Sequence, residues 1–492
     1  MGHGRGARLL ETISPADATQ ASLRPLCVDL DGTLIKSDTL VDSLLVLVRR
    51  RPLRVFGLMR QLLRGKAAFK AYVTEQVQLD VAHLPYNRKL LQFLEEERGR
   101  GRALYLATGA DERLARRVAD SLAIFTGVLG SDGAVNLTGN RKLDGLRSRL
   151  GAGEFDYVGN DAPDLPLLER AAEPLVANPS RRLRRKLRAR GIRPAHIFEE
   201  REGTFGSLVK AMRPHQWSKN LLIFLPLLLA HVVTTSLLFN AVLAFCCFSL
   251  AASASYIVND LLDIEADRNH VQKRLRPFAS GDLPASAGLA VAAVFLLLAL
   301  LGARLLPPAF LGWLLLYLAS TLAYSLYLKR VELVDVVMLS GLYTVRLLAG
   351  SAATHSHIST WLAGFSVFLF FSLAIVKRFA ELENLRASGA APRNGRGYLV
   401  ADLNQLRSFG TSSAFAAVVV FAIYISSREV TVLYRRPEML WLIMPLMILW
   451  LCRVWLLASR GNLSEDPLVF AFTDRMSLLI GVAVAAVVVA AI

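Results

Sequence analysis

The sequence has 492 residues, and 57 Lys and Arg against 40 Asp and Glu give it a formal net charge of +17 at pH 7. The positive charge concentrates in residues 181–190 and in loops between apolar stretches, which favours an anionic membrane surface as partner and argues against nucleic acid. The four cysteines have no metal-ligand spacing and no plausible disulfide framework, which fits a reducing compartment. Long apolar stretches begin near residue 220, so we expect a soluble part followed by a membrane part.

The soluble part alternates short apolar strands with stretches of helical periodicity. Residues 1–22 are predicted to be a disordered lead, and the first strand covers residues 25–29. Further strands are predicted at 103–107 and 155–158, and residues 39–99 carry helical periodicity. This order predicts an α/β, Rossmann-like parallel sheet with its site at the carboxyl ends of the strands.

The domain boundaries follow from the same changes in composition. We assign residues 23–195 to the soluble domain, 196–212 to a linker and 213–492 to the membrane domain. No apolar segment typical of a signal peptide precedes Leu26, so the soluble domain is expected to remain cytoplasmic.

Two carboxylates, Asp29 and Asp31, follow the first strand directly. In an extended chain they point to the same side, and the Gly32-Thr33 turn behind them offers backbone N–H groups to an anion. One carboxylate can attack phosphorus while the other gives and takes a proton. Three further pieces follow in chain order: Thr108, Lys142 and the run Gly159-Asn160-Asp161-Ala-Pro-Asp164.

This ordered set resembles the haloacid dehalogenase-like (HAD) phosphohydrolases. The resemblance implies that Asp29 is the nucleophile and that Asp31 is the acid and base. Thr108 and Lys142 would hold the transferring phosphoryl group, and Lys142 would balance the charge of Asp29. The resemblance also implies that residues 39–100 form a helical cap, which would limit the size of the substrate.

The same resemblance implies a Mg²⁺ site. Its ligands would be Asp29, the carbonyl of Asp31 and the loop that contains Asn160 and Asp161. One departure is that Asn160 stands where the family has an acid, and an amide oxygen lacks the negative charge that strengthens Mg²⁺ binding. A degenerate domain retained for docking or regulation is the alternative interpretation.

Nine apolar stretches predict an all-α polytopic membrane domain of nine transmembrane helices. They cover about 220–238, 240–258, 286–303, 308–326, 335–352, 361–377, 411–427, 437–456 and 476–492. The distribution of Lys and Arg among the loops favours a cytoplasmic N-terminus, although the loop 428–436 runs against it. A bacterial inner membrane is the expected location.

The loop after the second stretch carries the run Asn259-Asp260-Leu-Leu-Asp263-Ile-Glu-Ala-Asp267, here called the Asp-rich motif. Carboxylates three and four residues apart share one face of a helix, within reach of a common cation. Carboxylates at a membrane boundary are costly unless they bind something, and oxygen ligands suit Mg²⁺ that carries a phosphate. Lys273 and Arg276 follow closely and add positive charge.

The membrane domain resembles the UbiA-type intramembrane prenyltransferases, which carry such a motif. A second Asp-containing region is present at Asp335, but Leu339 occupies the position of its usual second Asp. Other fragments, around Lys219, Lys377 and Asp466, resemble the polyprenyl-phosphate phosphoribosyltransferase branch (decaprenyl-phosphate type). That resemblance implies phosphoribosyl diphosphate as donor and a polyprenyl phosphate lipid as acceptor.

Roles within the membrane domain are inferred from charge. Asp260 and Asp263 are expected to hold Mg²⁺ on the leaving diphosphate, with Asn259 and Asp267 in support. The candidates for substrate contacts are Lys219, Lys273, Arg276, Lys329, Asp335, Arg346, Lys377 and Arg378.

The fusion of the two domains indicates a sequence of reactions. The product of this transferase branch keeps a 5-phosphate on its ribose, and we hypothesise that the soluble domain removes it. Three alternatives remain: prenylation of an aromatic acceptor by polyprenyl diphosphate, a regulatory soluble domain, and a transporter. The sequence carries no sign of the oligomeric state.

Overall fold

A computed structural model describes residues 24–151, 153–201, 203–231, 234–388, 396–463 and 466–492. The chain forms two compact units. The first comprises the chain up to Ala211 together with Asp260–Leu289, and the second comprises Met212–Asn259 and Ala290–Ile492. The predicted disordered lead, residues 1–22, lies outside the described residues.

Six parallel strands form the sheet of the first unit in the order β3-β2-β1-β4-β5-β6. Buried strand β1 pairs with β2 on one side and with β4 on the other, where Leu26 lies opposite Leu104 and Asp156. This arrangement confirms the predicted parallel α/β sheet. The strands are β1 Leu26–Val28, β2 Leu104–Asp111, β3 Gly127–Ser131, β4 Asp156–Gly159, β5 Pro174–Ala177 and β6 His196–Phe198.

Helices such as Arg88–Gly99 and Glu112–Leu122 pack on the sheet through apolar faces. Leu90 and Leu94, in the last helix of the predicted cap, belong to the same buried core as Leu26 and Leu106 of the sheet. Strand β6 lies in the stretch that the sequence analysis assigned to the linker. The helices are Thr39–Arg50, Val55–Leu63, Lys66–Gln76, Arg88–Gly99, Glu112–Leu122, Asn140–Leu150, Leu165–Leu168, Arg181–Ala189, Thr204–Met212 and Ile264–Arg268, with 3₁₀ turns at Pro52–Arg54, Val81–His83, Ala162–Asp164 and Lys273–Leu275.

From residue 214 onward the remaining structure is helical. Within the described residues, seven helices are long and apolar enough to cross a membrane: Thr235–Leu262, Ala285–Ala303, Pro308–Leu326, Val334–Thr354, Thr360–Ala387, Val400–Ser426 and Pro437–Ser459. The sixth and seventh begin with the 3₁₀ turns Val400–Asp402 and Pro437–Leu442 before the α-helices Leu403–Ser426 and Ile443–Ser459, and the α-helix of the fifth runs over Thr360–Ser388. Shorter elements are Pro214–Phe224, Leu225–Leu229, Leu328–Arg330, Arg428–Thr431, Pro467–Thr473 and Arg475–Ala491.

The predicted number of nine spans is therefore not confirmed. The predicted span 220–238 is divided into the 3₁₀ stretch Pro214–Phe224, the short helix Leu225–Leu229 and the start of a new helix at Thr235. Pro226 lies in the first turn of that short helix, where its missing N–H is tolerated. The last stretch forms Arg475–Ala491, a 17-residue helix. At about 1.5 Å per residue it is shorter than a hydrocarbon core of about 30 Å.

A buried ion network fixes the amino end of β2 in the first unit, and it generates a prediction. Arg102 is 5% exposed and pairs with Glu97 at 2.7 Å and with Asp156. We expect Arg102→Gln to lower the stability of this unit by about 3–5 kcal/mol, because loss of one partner leaves buried charge uncompensated. Hydrogen exchange of the β1 and β2 amides in the full chain measures the change.

The matched control for this prediction is Arg116→Gln. Arg116 pairs with Glu112 on an exposed helix surface, so its loss is expected to change stability by less than about 1 kcal/mol. Equal effects of the two variants would contradict the role of the buried network.

Candidate active sites

The first candidate site lies where β1 and β4 end. The strand that follows β1 in the chain lies on one side of this pair, and the strand that follows β4 lies on the other side. Where the strand order reverses in this way, a crevice opens at the carboxyl edge of a parallel sheet. Asp29 follows β1 directly, and Asn160 follows β4 directly. The fold thus brings together two of the predicted site residues that lie far apart in the sequence.

The carboxylate of Asp29 is buried and held from two sides. Lys142 Nζ lies 2.7 Å from its Oδ1, and Thr33 Oγ1 lies 3.3 Å from its Oδ2. Burial raises the pKa of Asp29 to about 6, although the Lys142 ammonium opposes this shift. The predicted partnership of Asp29 and Lys142 is thus present as a buried ion pair.

Lys142 also contacts a residue that the sequence analysis did not select. Its Nζ lies 3.2 Å from Asp164 Oδ1, and Tyr157 donates a hydrogen bond of 2.9 Å to the same oxygen. Burial by itself lowers the pKa of Lys142, but the carboxylates of Asp29 and Asp164 raise it above its ordinary value. Asp164 lies in the loop after β4, and that position is the signal that could have identified it.

Asp31 has a hydrogen-bond partner of its own in the backbone. Its Oδ1 accepts a hydrogen bond of 2.7 Å from the backbone N–H of Thr39. Burial raises the pKa of Asp31 to about 8, with Asp38 adding to the shift. The neutral carboxyl form of Asp31 is therefore favoured near pH 7, and this form can donate a proton.

The loop after β4 presents Asn160 and Asp161 differently. The Asn160 side chain lies against Gly32, where an added Cβ would meet Asn160 Nδ2 at 2.0 Å. Asp161 instead accepts a hydrogen bond of 2.6 Å from Ser180 Oγ. Gly32 has a φ of +76°, which a side chain rarely adopts, so the close approach of Asn160 requires glycine there.

These donors fit a hard cation. The carboxylate of Asp29, the carbonyl of Asp31 and the amide oxygen of Asn160 are oxygen donors of the kind that Mg²⁺ prefers. Within the described part of the chain, no three His, Cys, Asp or Glu side chains are grouped closely enough to hold a metal ion. Asp29, Asp31 and Asn160 line one cavity, so the candidate donors there include an amide and a carbonyl, and Mg²⁺ commonly completes its shell with water and substrate phosphate.

Thr108 is fully buried within β2. Its Oγ1 accepts a hydrogen bond of 3.0 Å from the Ala110 backbone N–H. The neighbouring Gly109 lines the site's cavity.

The cavity above Asp29 has a volume of about 470 Å³ and contains more positive charge than Lys142 alone. Lys36, Lys70 and Arg201 also line it, as do residues 284–286 of the same unit. Lys70 Nζ donates to the Gly109 carbonyl at 2.6 Å. Among the described residues, the buried Nε of Arg201 has no hydrogen-bond partner.

The second candidate site is the Asp-rich motif, and its carboxylates do not share one continuous helix as predicted. The helix Thr235–Leu262 ends before Asp263, and a new short helix begins at Ile264. Asp263 adopts a non-helical backbone conformation at this junction. Asp263 pairs instead with Arg49 at 3.1 Å.

Asp260 and Asp267 nevertheless converge on one cation. The Arg276 Nη1 atom lies 3.2 Å from Asp260 and 2.7 Å from Asp267. Burial raises the pKa of Asp267, and the Arg276 guanidinium opposes the shift. The two carboxylates therefore already bind a positive charge between them, which fits a cation-binding role. Lys273 begins the turn that leads into Arg276.

In the second unit, two of the predicted substrate contacts bind each other. Arg378 is 1% exposed and pairs with Asp335, and its Nη2 donates to the Tyr324 hydroxyl at 3.0 Å. Tyr398 also donates a hydrogen bond to Asp335. This cluster, Asp335 with Arg378, Tyr324 and Tyr398, satisfies the single Asp of the second region by protein groups.

A separate cluster gathers Lys219 and Lys377 around Asp466. The two ammonium groups lie 2.7 Å and 2.8 Å from Asp466 Oδ2, and all three residues line one small cavity. Asp466 was not among the predicted site residues, although it follows Glu465 in a fragment that carried the resemblance; Glu465 lies outside the described residues.

The two remaining predicted contacts, Arg346 and Lys329, also lie in the second unit, where Arg346 and Lys219 both lie against the Tyr343 ring. Arg346 Nε donates to Asn220 Oδ1 at 2.8 Å, and its guanidinium lies 4.8 Å from the centre of the Tyr317 ring. Lys329 Nζ donates to Asn259 Oδ1 at 3.3 Å. Asn259 is thereby tied to a positive charge of the kind that a phosphate attracts.

Residues 221–479 match the UbiA prenyltransferase family. An uncharacterized protein y4nM of Sinorhizobium fredii is 37% identical over 95% of this chain and 91% of its own length. Decaprenyl-phosphate phosphoribosyltransferase of Mycobacterium tuberculosis is 37% identical over 45% of this chain and 74% of its own length.

Among solved structures, a HAD family hydrolase from Salmonella enterica resembles part of the chain. It matches with a TM-score of 0.26 and 16% identity, over 35% of this chain and 66% of that one. Because this score is low, the family assignment rests on the sequence matches. The chain belongs to the UbiA prenyltransferase family.

Proposed function

We propose that the chain is a bifunctional membrane enzyme that makes polyprenyl-phosphoryl ribose. Its membrane part would transfer 5-phosphoribosyl from phosphoribosyl diphosphate to a polyprenyl phosphate, and its HAD-like part would remove the 5-phosphate. The convergence of Asp260 and Asp267 on one cation carries the transferase assignment. The similarity to decaprenyl-phosphate phosphoribosyltransferase supports the choice of substrates. We place both sites on the cytoplasmic side of a bacterial inner membrane.

In both sites, bound Mg²⁺ would supply positive charge to phosphate oxygens. Asp260 and Asp267 would hold it in the transferase site, and Arg276 would move from between them to the diphosphate. Asp29, the Asp31 carbonyl and Asn160 would hold it in the phosphatase site. Asp161, turned to Ser180, is a less direct candidate than the sequence analysis assumed.

The transfer step exchanges one bond at the anomeric carbon of ribose. An oxygen of the lipid phosphate attacks this carbon while the bond between the carbon and the diphosphate breaks. The diphosphate leaves with the electrons of that bond. Lys219 and Lys377 around Asp466, and Lys329 beside Asn259, supply positive charge for the phosphates of the two substrates.

The phosphatase step uses the groups around Asp29. The Asp29 carboxylate attacks phosphorus, the bond between phosphorus and the ribose 5-oxygen breaks, and Asp31 gives its proton to that oxygen. Water then hydrolyses the phospho-aspartyl group, Asp31 takes the proton, and phosphate leaves. Lys142 balances the charge of Asp29 throughout, and Lys36, Lys70 and Arg201 add positive charge to the cavity.

One experiment tests both activities together. Purified full-length protein is incubated with polyprenyl phosphate, phosphoribosyl diphosphate and Mg²⁺, and the lipids are analysed by mass spectrometry. A lipid-linked ribose with one phosphate fewer than the transferase adduct is expected. An aromatic acceptor with polyprenyl diphosphate forms the second arm; product only there would favour the aromatic prenyltransferase alternative and contradict our proposal. The engagement of Asp335 by Arg378 argues against a second Asp-rich diphosphate site of the usual kind.

We expect Asp29→Asn to abolish phosphate release but to leave transfer intact, because the amide cannot attack phosphorus. The lipid product should then keep its 5-phosphate, which mass spectrometry detects. Asp120→Asn, at an exposed position on the helix Glu112–Leu122, is the matched control and should resemble the wild type. Continued phosphate release by Asp29→Asn would refute the assigned nucleophile.

We expect Asp260→Asn and Asp267→Asn each to lower the rate of lipid transfer by about 100-fold or more, since each removes a charge that faces the leaving diphosphate. Radiolabelled donor incorporated into lipid provides the measurement. Chelation of Mg²⁺ should abolish transfer in the wild type. Glu429→Gln, an exposed carboxylate on the short helix Arg428–Thr431, serves as control, and an equal loss there would speak against a specific role.

We expect Asn160→Asp to lower the Mg²⁺ concentration that gives half-maximal phosphate release, because a carboxylate binds Mg²⁺ more strongly than an amide does. A titration with Mg²⁺, using ribose 5-phosphate as a soluble substrate, measures it. Asp161→Asn should have the smaller effect, because Asp161 is bonded to Ser180. An unchanged Mg²⁺ requirement in Asn160→Asp would remove Asn160 from the set of ligands.

A further inference from the structure

Two segments of the first unit, residues 36–50 and residues 263–282, are joined by charge. The former follows Asp31 of the phosphatase-like site, and the latter contains most of the Asp-rich motif. Among the described residues, the ion pairs that join them are Lys36–Asp282 at 3.3 Å, Asp42–Arg268 at 2.8 Å, Arg49–Asp263 at 3.1 Å and Arg50–Glu265 at 2.6 Å.

The central pair, Asp42–Arg268, is buried. The side chains of Asp42 and Arg268 are 1% and 6% exposed. Arg268 also donates to Ser37 Oγ at 3.2 Å and to the Ala279 carbonyl at 3.3 Å, and Ser37 in turn donates to Asp42 at 2.7 Å. A buried guanidinium with these fixed partners allows little freedom to the segment that carries it.

Close backbone packing accompanies the charge. Gly281 has a φ of +76°, and an added Cβ there would lie 2.7 Å from Lys36 Cβ. The backbone carbonyl of Lys36 accepts a hydrogen bond from Arg201. The contact between the segments is therefore packed as well as paired.

The helix Thr39–Arg50 connects the two sets of functional residues. At its first residue, the Thr39 N–H donates to Asp31 at 2.7 Å. In its last turn, Arg49 pairs with Asp263 of the Asp-rich motif. One rigid element of 12 residues thus contacts a predicted phosphatase residue at one end and a predicted transferase residue at the other.

We propose that the helix Thr39–Arg50 positions the Asp-rich motif for the transferase reaction, with Asp42 and Arg268 as its positioning residues. The HAD-like fold would then serve transfer directly, besides its own hydrolytic role. This inference rests on the proposed function. Asp42–Arg268 carries most of the effect, because Arg50 is 55% exposed and an exposed pair contributes little.

The test uses Arg268→Gln in the full chain. Hydrogen exchange without substrate or metal should become faster in residues 260–289 and stay unchanged in the strands β1 and β4. The Mg²⁺ concentration for half-maximal lipid transfer should rise about tenfold or more, since a misplaced ligand set binds the cation less well. Phosphate release from ribose 5-phosphate should change much less than lipid transfer does, because Arg268 does not itself line the Asp29 cavity and reaches it only through its hydrogen bond to Ser37.

Two further variants separate positioning from general loss of stability. Arg268→Lys keeps a positive charge beside Asp42, so its Mg²⁺ concentration for half-maximal transfer should lie between those of Arg268→Gln and the wild type. Arg50→Gln should resemble the wild type. In a double-mutant cycle, Asp42→Asn combined with Arg268→Gln should be no worse than either single variant, since each removes the same pair.

Different results would overturn the positioning role of Arg268 and the proposed function. Wild-type exchange and Mg²⁺ dependence in Arg268→Gln would overturn the positioning role, and so would faster exchange spread evenly over the sheet. A wild-type protein that makes no lipid product would overturn the proposed function, while the exchange measurement would still decide whether Arg268 holds the segment.

Discussion

The ammonium group of Lys142 lies between two buried carboxylates, 2.7 Å from Asp29 and 3.2 Å from Asp164. Asp29 follows β1 and Asp164 lies in the loop after β4, so this one cation compensates the charge that two neighbouring strands bring to the same edge of the sheet. Without it, the parallel arrangement would bury like charges side by side, at a high cost in free energy. The same cation holds the Asp29 carboxylate at the point where the two strands end.

Compensation of buried charge is also the rule in the second unit. Arg378 satisfies Asp335, and Lys219 and Lys377 satisfy Asp466. Isolated charges within a membrane domain are expensive, so each is expected to have a partner before any substrate arrives. A substrate phosphate at these residues must therefore compete with a protein carboxylate, which favours ligands that carry several negative charges.

The carboxylates of the Asp-rich motif are also paired with cations. Two of its carboxylates share Arg276, while its third pairs with Arg49 of the helix that begins beside Asp31. The segment that carries these carboxylates belongs to the same compact unit as the parallel sheet and is ion-paired to the helix Thr39–Arg50 of that unit. The relative of similar length in Sinorhizobium fredii, 37% identical over 95% of this chain, indicates that the two parts recur together.

The sequence alone determined the features that depend on local pattern. Alternating strands and helices predicted the parallel sheet, the polar residues after β1 and β4 predicted its site, and long apolar stretches predicted a membrane domain. The Asp29–Lys142 partnership was anticipated only through the resemblance to the HAD phosphohydrolases. Hydropathy could not decide the number of spans, because it registers apolar length but does not show that the short helices Pro214–Phe224 and Leu225–Leu229 are separate from the helix that begins at Thr235.

Tertiary structure alone decided the pairings between distant residues. Lys36 and Asp282 lie 246 positions apart in the sequence. Between Asp42 and Arg268, the sequence contains the strands β2 to β6 and the long apolar helix Thr235–Leu262, yet the two side chains form an ion pair. No local periodicity relates such residues, since their contact depends on how separate elements pack. In the Asp-rich motif, Asp263 pairs with Arg49, whereas Asp260 and Asp267 pair with Arg276. This division also depends on packing, and the helix that contains Asp260 ends at Leu262, before Asp263.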